Sequence, residues 1–150
     1  MNISEVLAGV RRLFVDTAPV IYYVEQNPHY QPQVDAIFER VDAGQLHIVT
    51  SPITLSECLI FPIRSGNEQL QKDFQELLVR GAYTEFVLIN EAIAIHAAKL
   101  RANYNLTLTD AIQLATAVAA KCDAFLTNDK QLKRVPDIRI LVVGELTLQK

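Results

Sequence analysis

"LFVDTAPVIYYVE", Leu13 to Glu25, is the stretch from which the rest of the chain is read. Leu13, Phe14 and Val15 form an apolar run that stops at one aspartate, Asp16, after which the residues take on helical spacing. A short continuous apolar run suits a strand covered on both faces. The charge that ends it has two accounts. Asp16 caps the helix starting at Thr17, or it forms one wall of a site.

Outward from this stretch the same alternation repeats. Strands are expected over 12–16, 46–50, 85–89, 124–127 and 138–143. Helices are expected over 17–26, 32–43, 52–64, 67–79, 91–104 and 109–121, with a helical turn over 129–134. Pro19 is acceptable in a first turn. Val34, Ile37, Phe38 and Val41 share one helical face, and Gly44 supplies the stop. Pro62 weakens the end of its helix. The Ala-rich 109–121 helix is nearly apolar all round and is expected to be buried. Short apolar strands alternating with helices indicate an α/β fold, a three-layer sandwich around a parallel sheet. In open sheets of this kind ligands collect beyond the carboxyl ends of the strands, where the strand order reverses.

Composition narrows the class. The 150 residues suit one domain, with a core over about 12–143. Half are hydrophobic and 21% charged, which excludes a disordered chain. No apolar stretch approaches the roughly 20 residues of a spanning helix, and "MNISEVLAGVRR" lacks the pattern of a secretion leader. Cys58 and Cys122 lie in apolar helical patterns and read as small buried hydrophobes, so a reduced cytoplasmic setting is expected. The net charge of −3 argues against indiscriminate nucleic-acid binding but leaves room for a local basic rim.

Four acids fall at one edge of this map. Asp16 ends the first strand, and Glu57 lies about two turns into the helix after the second. Asp129 follows the fourth strand, and Asp110 opens the helix leading back to it. Each has a local explanation. Thr54-Leu55-Ser56-Glu57 fits a capping box, Asp110 and Asp129 suit first helical turns, and Asp16 suits a cap. Together they raise a different problem. Two carboxylates about 4 Å apart repel by about 4 kcal/mol at an effective dielectric of 20, so a convergent set calls for a cation. Hard oxygen donors without histidine or cysteine suit magnesium or manganese. Two such ions would clamp the attacking and leaving oxygens of a phosphodiester.

"FVDTAPVIYYVE", "SPITLSECL", "LRANYNLTLTDAIQLATAV" and "FLTNDKQL", in that order, resemble the PIN domain, in particular the VapC-like toxins of prokaryotic toxin–antitoxin pairs. The resemblance runs from about Leu13 to Val143. It implies a five-stranded parallel sheet of order 3-2-1-4-5. It also implies a Mg2+- or Mn2+-binding centre formed by Asp16, Glu57, Asp110 and Asp129 that hydrolyses RNA, supported by Thr127 and Asn128 in the Thr-Asn-Asp step. The implied partners are an RNA substrate, a small cognate antitoxin whose tail occupies the acidic groove, and a second copy in a homodimer, with no membrane. The chain departs from the pattern in the roughly ten residues before its first strand and in its short loops.

Thr17 and Thr127 place hydroxyls near the acids, either as helix-start groups or to orient a carboxylate. Asn128 suits a helix cap. Lys130, Lys133 and Arg134 form a basic turn that either is simply solvated or holds RNA phosphates. Arg101 reads as a surface charge. His29, His47 and His96 read as surface or packing residues, and Tyr22, Tyr23 and Phe61 as core or protein contacts. A phosphoacceptor receiver would need an aspartate ending the third strand and a lysine after the last. A haloacid-dehalogenase-type phosphatase would need an aspartate where Ala18 stands. The remaining rival is a non-catalytic PIN-fold module that binds RNA or protein.

Overall fold

The computed structural model describes residues 1–148. Five strands, β1 (Arg12–Val15), β2 (His47–Thr50), β3 (Thr84–Phe86), β4 (Ala124–Thr127) and β5 (Ile140–Val142), form one sheet of order β3-β2-β1-β4-β5. Every neighbouring pair is parallel. The order reverses between β1 and β4, which brings Asp16 and Thr127 to adjacent strand ends.

Alternation along the strands divides the core. Leu13 and Val15 of β1 face one side of the sheet and Phe14 the other. On the first side lie α1 (Ile3–Val6), α2 (Thr17–Val24), α3 (Gln31–Asp42), α4 (Pro52–Arg64) and α5 (Glu68–Arg80), contributing Val20, Ile37, Phe38, Cys58 and Phe74 among others. On the second side lie α6 (Glu91–Tyr104) and α7 (Leu108–Ala119), packed on Phe14 and Phe125. Those two rings stack across β1 and β4 with centroids 5.0 Å apart. The nearly apolar α7 is buried through Ala111, Leu114, Ala115 and Ala117, as its composition requires.

The structure differs from the sequence reading at several edges. β3 spans Thr84–Phe86 instead of 85–89: after Val87 donates to Thr50 the chain leaves the ladder, and Leu88 is exposed. α4, by contrast, keeps the expected bounds of 52–64 with Pro62 inside it; that proline is buried and its carbonyl accepts from Asn67 at 2.9 Å. The first helix stops at Val24, two residues early, and Gln26 adopts a positive φ of 55°. The segment before β1 contains α1, whose Ile3 and Val6 are buried. Ile3 donates to Thr147 and Thr147 to Met1, so both ends of the described chain close over the core. With Leu7, Val10 and Leu146 also buried, packing extends beyond residues 12–143.

Candidate functional site

Asp16 caps the helix that starts at Thr17 and also lines a surface cleft. Its backbone N–H donates to Leu126 at 2.9 Å, holding it between β1 and β4. One carboxylate oxygen caps α2 by accepting the Thr17 N–H at 2.8 Å; the other accepts the Thr127 hydroxyl at 3.0 Å. Burial of the carboxyl pushes its pKa up to about 6, and the charges of Asp110 and Glu57 add to the rise. The bonds from Thr17 and Thr127 oppose it without cancelling it.

Glu57 is not the reciprocal half of a capping box. α4 begins two residues before Thr54, and Ser51 is its cap, accepting from Ile53 at 3.1 Å and from Thr54 at 3.3 Å. Thr54 already lies inside the first turn, and the Glu57 carboxylate accepts the Thr17 hydroxyl at 2.5 Å. Asp110 occupies the first turn of α7, where its N–H donates to the Thr107 cap at 3.2 Å. Its carboxyl is raised chiefly by burial, then by Asp129 and Glu57, against the lowering influence of the Thr107 hydroxyl and Arg134. Asp129 caps the 3-10 turn Lys130–Arg134, accepting from Gln131 at 2.9 Å, and its own N–H donates to the Thr127 hydroxyl at 3.2 Å.

Two threonines therefore join the acids in pairs: Thr17 lies between Asp16 and Glu57, and Thr127 between Asp16 and Asp129. None of the ion pairs among the described residues includes any of the four acids. Nor, among those residues, is any group of three or more His, Cys, Asp or Glu side chains gathered tightly enough to hold a metal ion as it stands. The donor set nevertheless fits a hard divalent cation. It consists of carboxylate and hydroxyl oxygens around a desolvated carboxyl whose charge no cationic side chain neutralises. A cleft of about 490 Å³ opens over Asp16, Thr17, Glu57 and Asp110, flanked by Ile21, Ile60 and Phe61. A smaller cavity of about 100 Å³ lies between Asp110, Asp129 and Arg134.

The neighbouring residues take mixed roles. Asn128 is not a helix cap, a role that falls to Asp129; it donates to the Tyr22 hydroxyl at 3.0 Å and accepts from Gly144 at 2.9 Å. Lys133 pairs with Glu145. Arg134 donates to the carbonyls of Tyr104, Gln131 and Asn105, and Arg101 donates to that of Leu106, so both brace the chain between α6 and α7. Lys130 is exposed. Tyr22 stacks on Tyr30 and Tyr23 on Phe38, whereas Phe61 is 60% exposed and outside the core. His29 and His47 set their rings edge-on to Tyr30 and Tyr83, and His96 faces Asp137 at 3.7 Å. The sequence reading overlooked a buried polar contact behind the acids, made by Ser51, Thr54 and Gln113. Its one signal was an amide inside the apolar run "AIQLATAV".

Comparison with known proteins gives a consistent result. The family model for the PIN domain matches residues 13–138. No curated protein matches the sequence. Among solved structures, VapBC2 from Rickettsia felis, bound to a promoter DNA fragment, superposes with a TM-score of 0.69 at 17% identity, covering 87% of this chain and 98% of that one. VapBC-1 from nontypeable Haemophilus influenzae gives 0.68 at 22% identity, covering 89% and 99%. VapC20 of Mycobacterium tuberculosis, described as a Sarcin-Ricin loop cleaving toxin, gives 0.61 at 13% identity, covering 75% and 86%.

Proposed function

The chain belongs to the PIN domain family, and from that premise we propose that it is a metal-dependent endoribonuclease, the toxin of a VapBC-type pair. The observation that carries the reading is the make-up of the rim: four carboxylates, Asp16 and Asp110 desolvated among them, and none in an ion pair among the described residues. Asp16, Asp110 and Asp129 would hold Mg2+ or Mn2+, with Glu57 either completing the set or orienting the attacking water. When bound, such an ion would lower the pKa of a water and screen charge developing on the phosphate.

The chain's own groups do the rest. Thr127 holds one oxygen of Asp16 and the backbone of Asp129, which fixes the two across the β1–β4 junction. Thr17 holds Glu57, leaving its second carboxylate oxygen available to a ligand or a water proton. Lys130, exposed beside Asp129, offers a cation to the RNA backbone. The cleft pairs acids with exposed apolar side chains, Ile60 at 47% and Phe61 at 60%. That combination suits an antitoxin segment presenting a cation beside apolar residues, and the neighbouring VapBC structures support such a partner. A cytoplasmic homodimer completes the proposal, and no helix among the described residues is long and apolar enough to cross a membrane.

One observation favours a non-catalytic binding module instead, namely that the acids are not gathered into a ready cage. A cleavage assay separates the two. Wild-type protein with Mn2+ is expected to cut RNA, and Asp16→Asn or Asp110→Asn to lose at least about 100-fold of that activity while remaining folded. Full activity in either variant would refute the assignment, and RNA binding without scission at any metal concentration would favour the module.

A further inference from the structure

The side chains of Ser51, Thr54 and Gln113 are buried, with 0%, 0% and 1% exposure, and they bond to one another from elements that each carry an acid or border one. The Ser51 hydroxyl, which accepts the first N–H groups of α4, donates to the Gln113 side-chain carbonyl. The Gln113 amide nitrogen donates to the Thr54 hydroxyl at 2.6 Å. Thr54 in turn reaches the main-chain carbonyl of Val15 at 3.5 Å. Donors and acceptors run in one direction along this path.

Its anchor points are specific. Gln113 is one turn after Asp110 on the same face of α7, Thr54 is one turn before Glu57 on α4, and Val15 directly precedes Asp16. α4 packs on one side of the sheet and α7 on the other, so the amide spans the sheet's carboxyl edge, along which these acids lie. Mutual repulsion drives like charges apart, and a site assembled from separate elements holds its spacing only if something behind it resists. A bonded amide in a dry interior is a stiff tether, because breaking either contact leaves a buried polar atom unpaired.

We propose that Gln113 is a positioning residue: through Ser51 and Thr54 it sets the spacing of Asp110, Glu57 and Asp16, and with it the affinity of the rim for a divalent cation. The inference rests on the nuclease reading of these acids. Gln113 itself does not touch the cation or the RNA.

The test uses Gln113→Met, which conserves volume and removes both bonds, Thr54→Val, which removes the hydroxyl at near-constant shape, and the double variant. Mn2+ binding is followed by calorimetry, cleavage kinetics on RNA are measured, and thermal melting is recorded without metal. Supporting groups behind metal ligands are worth about 10–100-fold in affinity or activity. Gln113→Met is therefore expected to weaken Mn2+ binding and lower kcat by at least about tenfold. KM for RNA should change less than about twofold, since no RNA contact is lost. The double variant makes both ends of the Gln113–Thr54 bond apolar and regains part of the thermal stability lost in Gln113→Met, the Ser51 hydroxyl still lacking Gln113; Mn2+ affinity and kcat should stay low. Recovery of affinity and kcat along with stability would show the network to be packing only and overturn the proposal. So would single variants that match wild type in Mn2+ affinity and kcat, and that result leaves the nuclease reading standing. Wild-type protein that neither binds Mn2+ nor cuts RNA overturns both.

Discussion

The two rims of the sheet treat their charges in opposite ways. At the amino ends of the strands, Asp123 accepts the backbone N–H groups of Arg11 and Arg12 at 2.8 and 3.0 Å, and these bonds hold its carboxyl below the usual range. Arg12 there pairs with Glu85 at 2.8 Å and also donates to Ala120. Asp123, Arg12 and Glu85 each have a bonded partner close by. At the carboxyl ends, Asp16 and Asp110 are both raised, chiefly by burial, with further acids adding to the rise. Aspartate is the same group in both places, so environment alone decides whether it supports the fold or burdens it. A rim that keeps unneutralised carboxylates is expensive unless a ligand relieves it.

The largest expected effect separates activity from stability. Asp16→Asn should abolish Mn2+-dependent cleavage, as above, while its melting temperature without metal at pH 7.5 equals or exceeds that of wild type, because the variant no longer carries a buried charge. A marked loss of stability at that pH would mean Asp16 is a structural cap first.

A second effect is in pH. Asp16 titrates near 6 in the folded chain against an ordinary 3.8, so the native state binds more protons than the unfolded state between those values. Stability from this group is thus fully present below about 3.8 and lost as pH rises through 6, by about 2–3 kcal/mol. Denaturant titration of metal-free protein at pH 5 and pH 7.5 should show about half of this fall, about 1–1.5 kcal/mol, and Asp16→Asn should remove it. Asp123 has the opposite sign: its lowered pKa gives stability above the unfolded value that is lost in acid. Being exposed, it is worth about 1 kcal/mol or less, and Asp123→Ala at pH 7 should lose about that much.

The smallest effect concerns metal and stability together. Added Mg2+ should raise the melting temperature by a few degrees at pH 7.5 and by less at pH 5.5, where protons compete for Asp16. Differential scanning fluorimetry reads this directly; an equal shift in Asp16→Asn would place the ion elsewhere.

Much of the fold was legible in the residues. The apolar runs ending at Asp16 and Thr127 located the strands, and strand–helix alternation led to a parallel sheet. The resemblance carried by four motifs supplied the strand order, which the structure bears out. Legibility failed where a tertiary partner outbid a local pattern. Ser51 and Thr54 are both good caps, and Ser51 serves because α4 starts at Pro52. α1 is only four residues long and owes its place to Thr147 at the far end of the chain, beyond any local signal. Residues 85–89 are apolar enough for a longer strand, but pairing ends with β2. Gln113 stood out as a polar residue in an apolar helix, yet its partners lie about 60 positions away and only the folded chain identifies them.

Mn2+ titrated calorimetrically into the purified protein at pH 7.5, beside Asp16→Asn, bears most directly on the claim that these acids share a cation. The account predicts saturable uptake by the wild type that disappears in the folded variant. No saturable uptake by the wild type, or the same uptake by both, would contradict it.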